Sequence, residues 1–185
     1  MRLNAVFAAG LIASSLHVVA AQPSFTTVAE CDLAGPDSRL SLLRGHPLSD
    51  AHVYKIRQEQ ETRFLYADAD ASFGSRVDWQ CVPTGKGVNV FLITGEFSSN
   101  YQQGILFFRD TNDRRIHRVE FAERNRPSWV LSGSKGPQVI FENAGYESAH
   151  KYLIYGPADA YLEADELPLP ATAQGESLIE LKPYP

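Results

Sequence analysis

The stretch Val88-Asn89-Val90-Phe91-Leu92-Ile93 decides the fold class of this chain. Its β-branched and aromatic residues suit the pleated surface of a strand. The apolar residues follow one another almost without a break, whereas a strand with one face in water alternates apolar and polar residues. The stretch therefore predicts a central strand that is covered on both of its faces.

Short apolar runs bounded by turn residues recur on both sides of this stretch. In one of them, His117, Val119 and Phe121 share a face, as the two-residue period of a strand requires. Thr111-Asn112-Asp113 stands between two such runs and predicts a hairpin loop. The predicted strands are 53–56, 63–66, 76–82, 88–94, 105–109, 115–121, 128–131, 138–141, 152–155, 160–163 and 178–181.

Other segments carry weaker patterns. Residues 22–30 predict an extended lead-in, 33–48 a short strand or a single helical turn, and 168–175 an irregular connection. The 11 prolines and 13 glycines disfavour long helices. Together these patterns predict an all-β, mainly antiparallel domain with little helix, built as a meander, a sandwich or a small barrel-like domain.

An internal resemblance joins two parts of the chain. Residues 90–120 and 139–167 each contain a strand, a polar loop with glycine, an aromatic strand, a turn and another strand. Two blade-like repeats would explain this order. The likeness that all antiparallel meanders share explains it as well.

The first 21 residues have the composition of a secretory signal peptide. One positive charge precedes the apolar run 5–13, and Val19-Ala20-Ala21 offers the small side chains that a signal peptidase reads. A membrane-spanning helix needs about 20 apolar residues, and Ser14, Ser15 and His17 interrupt this run. We therefore expect a signal peptide at 1–21, a single β-rich domain at 22–185, a periplasmic or secreted location, and no membrane insertion.

Cys31 and Cys81 are the two cysteines of the chain. In an oxidising compartment an isolated pair most simply forms one disulfide. Closing a loop of about 50 residues stabilises the fold by roughly 4 kcal/mol in the chain-entropy model. Two buried free thiols are the alternative.

The net charge and the search for known motifs limit the classes of function that this chain can have. A net charge of −5 at pH 7 argues against a nucleic-acid partner. No phosphate-cradling glycine motif is present, and we expect no cofactor, no metal and no catalytic residue. Asp68, Asp70 and Asp78 suggest a loose calcium site, but a polar loop explains them better because the EF-hand spacing fails. Ser132-Gly133-Ser134-Lys135 has the spacing of a Ser-x-x-Lys motif but predicts a turn.

Two loops rich in Ser, Asn and Tyr are the strongest candidates for a binding surface. Tyrosine supplies rigid contact area, and Ser and Asn supply adaptable hydrogen bonds. If the internal repeat is real, both loops emerge at the same end of the sheets. The alternative is that polar residues form the turns while Phe97 and Tyr146 pack beneath them. The predicted binding residues are Glu96, Phe97, Asn100, Tyr101, Asn143, Tyr146 and Glu147.

Three hypotheses for the function follow. The first is an exported soluble binding or inhibitor module of the cell envelope that acts through protein or glycan contacts. The second is a hydrolase with carboxylate chemistry, drawn from Glu96, Glu123, Glu142 and Glu147. The third is a structural component of an envelope assembly. The missing catalytic motifs favour a function without catalysis.

Overall fold

The computed structural model describes residues 24–85, 87–97, 101–145, 148–171 and 175–182. These residues contain thirteen strands and a three-residue 3-10 turn at Pro36–Ser38. The strands are β1 (Thr26–Asp32), β2 (Arg39–Leu48), β3 (Ala51–Gln58), β4 (Glu61–Phe64), β5 (Phe73–Gly85), β6 (Val88–Glu96), β7 (Gln102–Arg109), β8 (Ile116–Glu123), β9 (Trp129–Ser132), β10 (Gln138–Glu142), β11 (Tyr152–Gly156), β12 (Ala160–Ala164) and β13 (Ser177–Glu180).

The strands form two sheets in which every pairing is antiparallel. The large sheet has eight strands in the order β1-β2-β3-β5-β6-β7-β8, with β4 also paired to β3. The small sheet has the order β12-β11-β10-β9-β13. In neither sheet do the two outermost strands pair with each other, so neither closes into a barrel. The prediction of an all-β, antiparallel fold with little helix is confirmed, with a sandwich as its architecture.

The large sheet folds over on itself at the junction of β3 and β5. Only two residue pairs join these strands, His52 with Gly74 and Val53 with Phe73. We call β1–β4 the outer half and β5–β8 the central half. Buried side chains of both halves form one hydrophobic cluster, so the two halves face each other. Its members are Cys31, Leu33, Leu40, Leu42, Tyr54, Ile56, Leu65, Phe91, Ile93, Ile105 and Phe107.

The small sheet covers the other face of the central half. A second cluster joins Val90, Leu92, Leu106, Phe108, Val119 and Phe121 to Val130, Val139, Phe141 and Leu153. The central half is therefore the middle of three layers. Strand β6 shows this directly, because the side chains of Val90 to Ile93 alternate between the two clusters and none is more than 2 % exposed. The predicted central strand, covered on both faces, is confirmed.

The small sheet has one strand more than the central half that it covers. Strand β13 packs against β5 and β11 packs against β8, so that four strands lie over four. Strand β12 comes next to β11 and extends past the edge of β8. All its residues except Ala164 are exposed. We call this projection the β12 overhang.

The connection from β12 to β13 crosses the outer face of the small sheet, because these strands lie at opposite edges. Leu167 of this connection packs on a third cluster formed by Leu131, Ile140 and Ile154. The described part of 168–175 is irregular, as the sequence predicts.

A covalent and hydrogen-bonded clamp holds the outer half on the central half. Cys31 of β1 and Cys81 of β5 form a disulfide, which confirms the predicted pairing. Beside it, the Asn89 backbone N–H donates to the Leu33 carbonyl and the Asn89 side-chain amide donates to the Asp32 carbonyl, each at 2.7 Å. The clamp joins residues that are far apart in sequence at the place where β1 crosses β5 and β6.

The first two strands are longer and more regular than the sequence predicts. Residues 26–32, most of them in the predicted extended lead-in, form the edge strand β1. The segment 33–48, predicted as a short strand or a single helical turn, contains a 3-10 turn at Pro36–Ser38 and the ten-residue strand β2. Strand β1 carries few apolar residues because it lies at an edge. Strand β2 tolerates Gly45 and Pro47 because its pairing with β3 shifts register between Arg44 and Pro47.

The two similar segments form corresponding three-stranded meanders, β6-β7-β8 and β10-β11-β12, in the two sheets that face each other. The predicted hairpin loop at 111–113 connects β7 to β8. None of the helical structure in the described residues is long and apolar enough to cross a membrane.

We expect the disulfide to make a measurable contribution to the free energy of unfolding. Replacing both Cys31 and Cys81 by alanine should lower the free energy of unfolding by about 2–4 kcal/mol, because the unfolded chain loses a crosslink across a long loop. Denaturant titration of the variant and of the reduced native chain measures this, and the reduced chain keeps both sulfur atoms as a control. An unchanged midpoint in both samples would contradict the clamp.

Gly104 predicts a packing constraint in the middle layer. A Cβ atom there would meet the Phe121 ring and would stand 2.6 Å from the Ile93 carbonyl oxygen. We expect Gly104→Ala to cost about 1–3 kcal/mol, as overpacking does. Gly156→Ala is the matched control, because its Cβ would meet no atom closer than 3.4 Å. Equal unfolding midpoints for the two variants would argue against this packing.

Candidate partner-binding surface

The connections of the sandwich gather at two ends. The loop end carries the β6–β7, β8–β9 and β10–β11 connections, and the turn end carries the β5–β6, β7–β8 and β9–β10 turns. Of the predicted binding residues, Asn100, Tyr146 and Glu147 lie outside the described residues. The other four, Glu96, Phe97, Tyr101 and Asn143, lie at the loop end.

Consecutive residues of the β8–β9 connection touch the flanks of both predicted loops. The Arg124 guanidinium donates to the Tyr101 hydroxyl at 3.3 Å, and its carbon lies 5.3 Å from the centre of the Tyr101 ring. The Asn125 amide donates to the Glu142 carbonyl at 2.9 Å. The flanks of the two loops therefore share one end of the sandwich.

Phe97 packs beneath its loop. Its ring makes edge contacts with Tyr66 and Tyr54, at centroid distances of 5.0 and 6.1 Å, and belongs to the first hydrophobic cluster. Gly74 lets the ring approach, since a Cβ there would stand 2.6 Å from it. Phe97 therefore packs against the core, as the alternative to a binding role predicted.

Glu96 and Asn143 also make contacts within the chain. The Arg76 guanidinium donates to the Glu96 carboxylate at 3.0 Å, and the Ser75 hydroxyl donates to it at 3.3 Å. The Asn143 side chain accepts from the Gly145 N–H and donates to carbonyls of the β10–β11 connection. Asn143 thus holds the shape of its own loop, as asparagine often does in turns.

The glutamates of the hydrolase hypothesis take different environments. Glu123 is 5 % exposed and accepts a hydrogen bond of 2.6 Å from the Tyr155 hydroxyl. Glu96 shares its face of the large sheet, with Gln102 between them in the register. Glu142 is exposed, and Glu147 lies outside the described residues. Neither Glu96 nor Glu123 lines the groove at β8 or the cleft at the turn end.

A groove of about 420 Å³ follows the free edge of β8. We call it the edge slot. Three consecutive residues of β8 form its back wall, Tyr155 of the small sheet stands on one side, and Tyr66 and Ala71 of the β4–β5 connection stand on the other. Its lining residues are Tyr66, Ala71, Gln103, Glu120, Phe121, Ala122 and Tyr155.

Two buried polar atoms have no hydrogen-bond partner among the described residues, the hydroxyl of Tyr66, which lines the edge slot, and the side-chain oxygen of Gln102. Buried polar groups without a partner are rare in folded proteins. Burial raises the pKa of Tyr66 above its usual value, so its hydroxyl stays protonated and can donate.

A cleft of about 340 Å³ opens at the turn end, over an apolar floor that includes Val90 and Phe108. Its rim includes Ser132, Ser134 and Lys135 of the Ser-x-x-Lys stretch. Here the Gly136 N–H donates to the Gly133 carbonyl at 3.1 Å, so this stretch forms the predicted turn.

Asp110, Asp113 and His117 lie beside this cleft, with potential ligand atoms within 4.8 Å of one another. The Arg115 backbone N–H and His117 lower the pKa of Asp113, which stays a carboxylate. Each carboxylate also accepts a backbone N–H of the hairpin loop. The geometry could hold a divalent cation, but the hairpin explains it without one. Asp78 of the loose calcium hypothesis is instead paired with Arg126 at 2.6 Å.

Sequence reasoning missed the edge slot, because Tyr66, the β8 residues and Tyr155 come from three distant segments. The small Ala122, between Phe121 and Glu123 of β8, is a local feature of the sequence that falls in the edge slot.

Comparison with known proteins adds no family to these observations. No family model matches the chain, and no curated protein and no solved structure matches it.

Proposed function

We propose that this chain is an exported binding or inhibitor module of the cell envelope that acts through protein contacts and not through catalysis. The observation that carries the proposal is the loop end. There Arg124 and Asn125 join the flanks of two loops that are rich in Tyr, Ser and Asn. A surface assembled from several connections on a rigid scaffold is typical of recognition.

Export is supported by the disulfide and by the composition of residues 1–21. Disulfides persist in oxidising compartments and are rare in reducing ones. The bond between Cys31 and Cys81 joins two layers of the fold beside the first hydrophobic cluster. The signal peptide lies outside the described residues and stays a prediction.

Protein contacts are favoured over glycan contacts because the faces of the aromatic rings at the loop end are already in contact with other side chains. A sugar stacks on an accessible ring face, but Phe97 is packed against Tyr54 and Tyr66. The Arg124 guanidinium lies over the Tyr101 ring. An arginine that rests on a tyrosine is a common anchor of protein interfaces.

A binding function is favoured over hydrolysis by the contacts of the glutamates. A carboxylate hydrolase needs two acidic groups that converge on a substrate cavity. Glu96 forms an ion pair with Arg76, and Glu123 is buried against Tyr155. With these contacts, Glu96 and Glu123 cover the second hydrophobic cluster at the loop end, which is a structural role.

A structural role in an envelope assembly is the second candidate. One observation favours it, since the edge strand β12 exposes Tyr161 and Leu162, at 45 % and 56 %. Exposed apolar side chains on a strand with a free edge promote association between chains. A self-associating species in size-exclusion chromatography with light scattering would favour this role over the first.

Site-specific photo-crosslinking tests the proposal in the cells that make this protein. A photoreactive residue at Glu142, exposed at the loop end, should give one discrete protein adduct. The same residue at Thr62, exposed on β4, should give none. Arg124→Ala should lower the adduct yield about tenfold, as the loss of an interface anchor does. Arg114→Ala, an exposed arginine at the turn end, is the matched control.

Digestion of the adduct separates the partner classes. An adduct that a protease digests fits the proposal. An adduct that only a muramidase digests would show that the partner is a glycan and not a protein. Equal adducts at Glu142 and Thr62, or none at either position, would overturn the proposal.

A further inference from the structure

We propose that the edge slot receives one extended strand of a partner protein, which pairs through its main chain with the free edge of β8. The inference rests on the proposed protein-binding function and names the form of the partner at a second place on the molecule. Addition of a strand to an open sheet edge is a recurrent mode of peptide recognition.

The back wall of the edge slot offers main-chain hydrogen bonds. Strand β8 is the last strand of the large sheet and pairs only with β7. In the described residues, no backbone–backbone hydrogen bond reaches its other edge. An edge strand presents a row of N–H and C=O groups that can bind a further strand.

The edge slot is walled on three sides, which distinguishes it from an ordinary sheet edge. Glu120, Phe121 and Ala122 form the back, the Tyr155 side forms the roof, and Tyr66 with Ala71 forms the floor. The side chains of an extended guest point alternately up and down. They would meet the Tyr155 ring on one side and the Tyr66 ring on the other.

The β12 overhang extends this roof by one strand. Because β11 lies over β8, the position opposite β12 is the place that a strand added to β8 would take. Tyr161 of β12 lies opposite Tyr155 in the register, and their ring centres are 5.1 Å apart. A guest strand would complete a five-over-five sandwich and cover Tyr161, which is 45 % exposed.

The overhang also argues against a second copy of this chain as the occupant. Antiparallel pairing of two β8 strands places both small sheets on the same side of the joined large sheets. Each β12 would then overlap the β11 of the other copy, because both would lie over the same β8. One strand fits beneath the overhang, whereas a second sandwich does not.

The charge near the overhang indicates a basic guest. Glu163 faces the same side of β12 as Tyr161, and it accepts a hydrogen bond of 2.9 Å from the Tyr161 hydroxyl. Hydrogen bonds from Tyr161 and Ser148 hold the pKa of Glu163 below its usual value, so it is charged. The Nε2 atom of His150 lies 3.8 Å from this carboxylate, and a lysine or arginine on the upper face of the guest would give Glu163 a further basic partner.

Selection of peptides tests this inference on the exported full-length protein. A phage library of random linear decapeptides supplies the probe. We expect selected peptides to be basic and aromatic, and to slow amide hydrogen exchange at alternate residues of β8. Ala122→Trp, which fills the edge slot from an exposed position, should weaken binding about tenfold or more, as a clash at an interface centre does. Thr62→Trp on β4 is the matched control and should leave binding unchanged.

The remaining outcomes separate this inference from the proposed function. Peptides that lose affinity with Arg124→Ala but not with Ala122→Trp would overturn the edge slot and leave the loop end as the binding surface. The absence of any selected peptide would overturn the edge slot, as would slow β8 exchange in the free protein. Loss of the Glu142 adduct in cells, with peptide binding intact, would overturn the proposed function instead. Unfolding midpoints equal to the native value show that both tryptophan variants fold.

Discussion

Burial of the middle layer on both faces is the constraint on which the rest of the structure depends. Strands β6 and β7 carry apolar side chains on both faces, so a single covering sheet leaves one face in water. The large sheet supplies the first cover by folding over itself, and the small sheet supplies the second. Only two residue pairs join β3 to β5. The disulfide and the Asn89 hydrogen bonds fasten the first cover at a second place, where β1 crosses β5 and β6. The second cover needs no crosslink, because Phe121, Phe141 and Tyr155 interlock across it.

Local pattern was sufficient to predict the middle layer from the sequence. The nearly continuous apolar run of β6 and the alternation of Val119 and Phe121 on β8 depend only on neighbouring residues. Strand β1 was predicted only as an extended lead-in, and β2 only as a short strand or a turn. Edge position and a register shift weaken the apolar period that identifies a strand. The pairing of Cys31 with Cys81 was predictable because the chain has no other cysteine.

One candidate site was predictable from local sequence, and the other was not. Residues near the two loops were identified by composition, but composition does not distinguish an exposed ring from a packed one, and Phe97 is packed. The edge slot needs strand order as well as sequence. It exists because the small sheet has a fifth strand where the central half has four, and because the folded-over half brings Tyr66 to the edge of β8. No local period encodes a difference in strand number between two sheets.

Residue-resolved native-state hydrogen exchange of the free protein tests the three-layer arrangement most directly. The amides of 90–93 and 105–107 should exchange only through global unfolding, because both faces of their strands are covered. Alternate amides of 116–123 should exchange much faster, because their N–H groups face the open edge. Exchange of β6 and β7 through local opening, at rates like those of β8, would contradict the doubly covered middle layer.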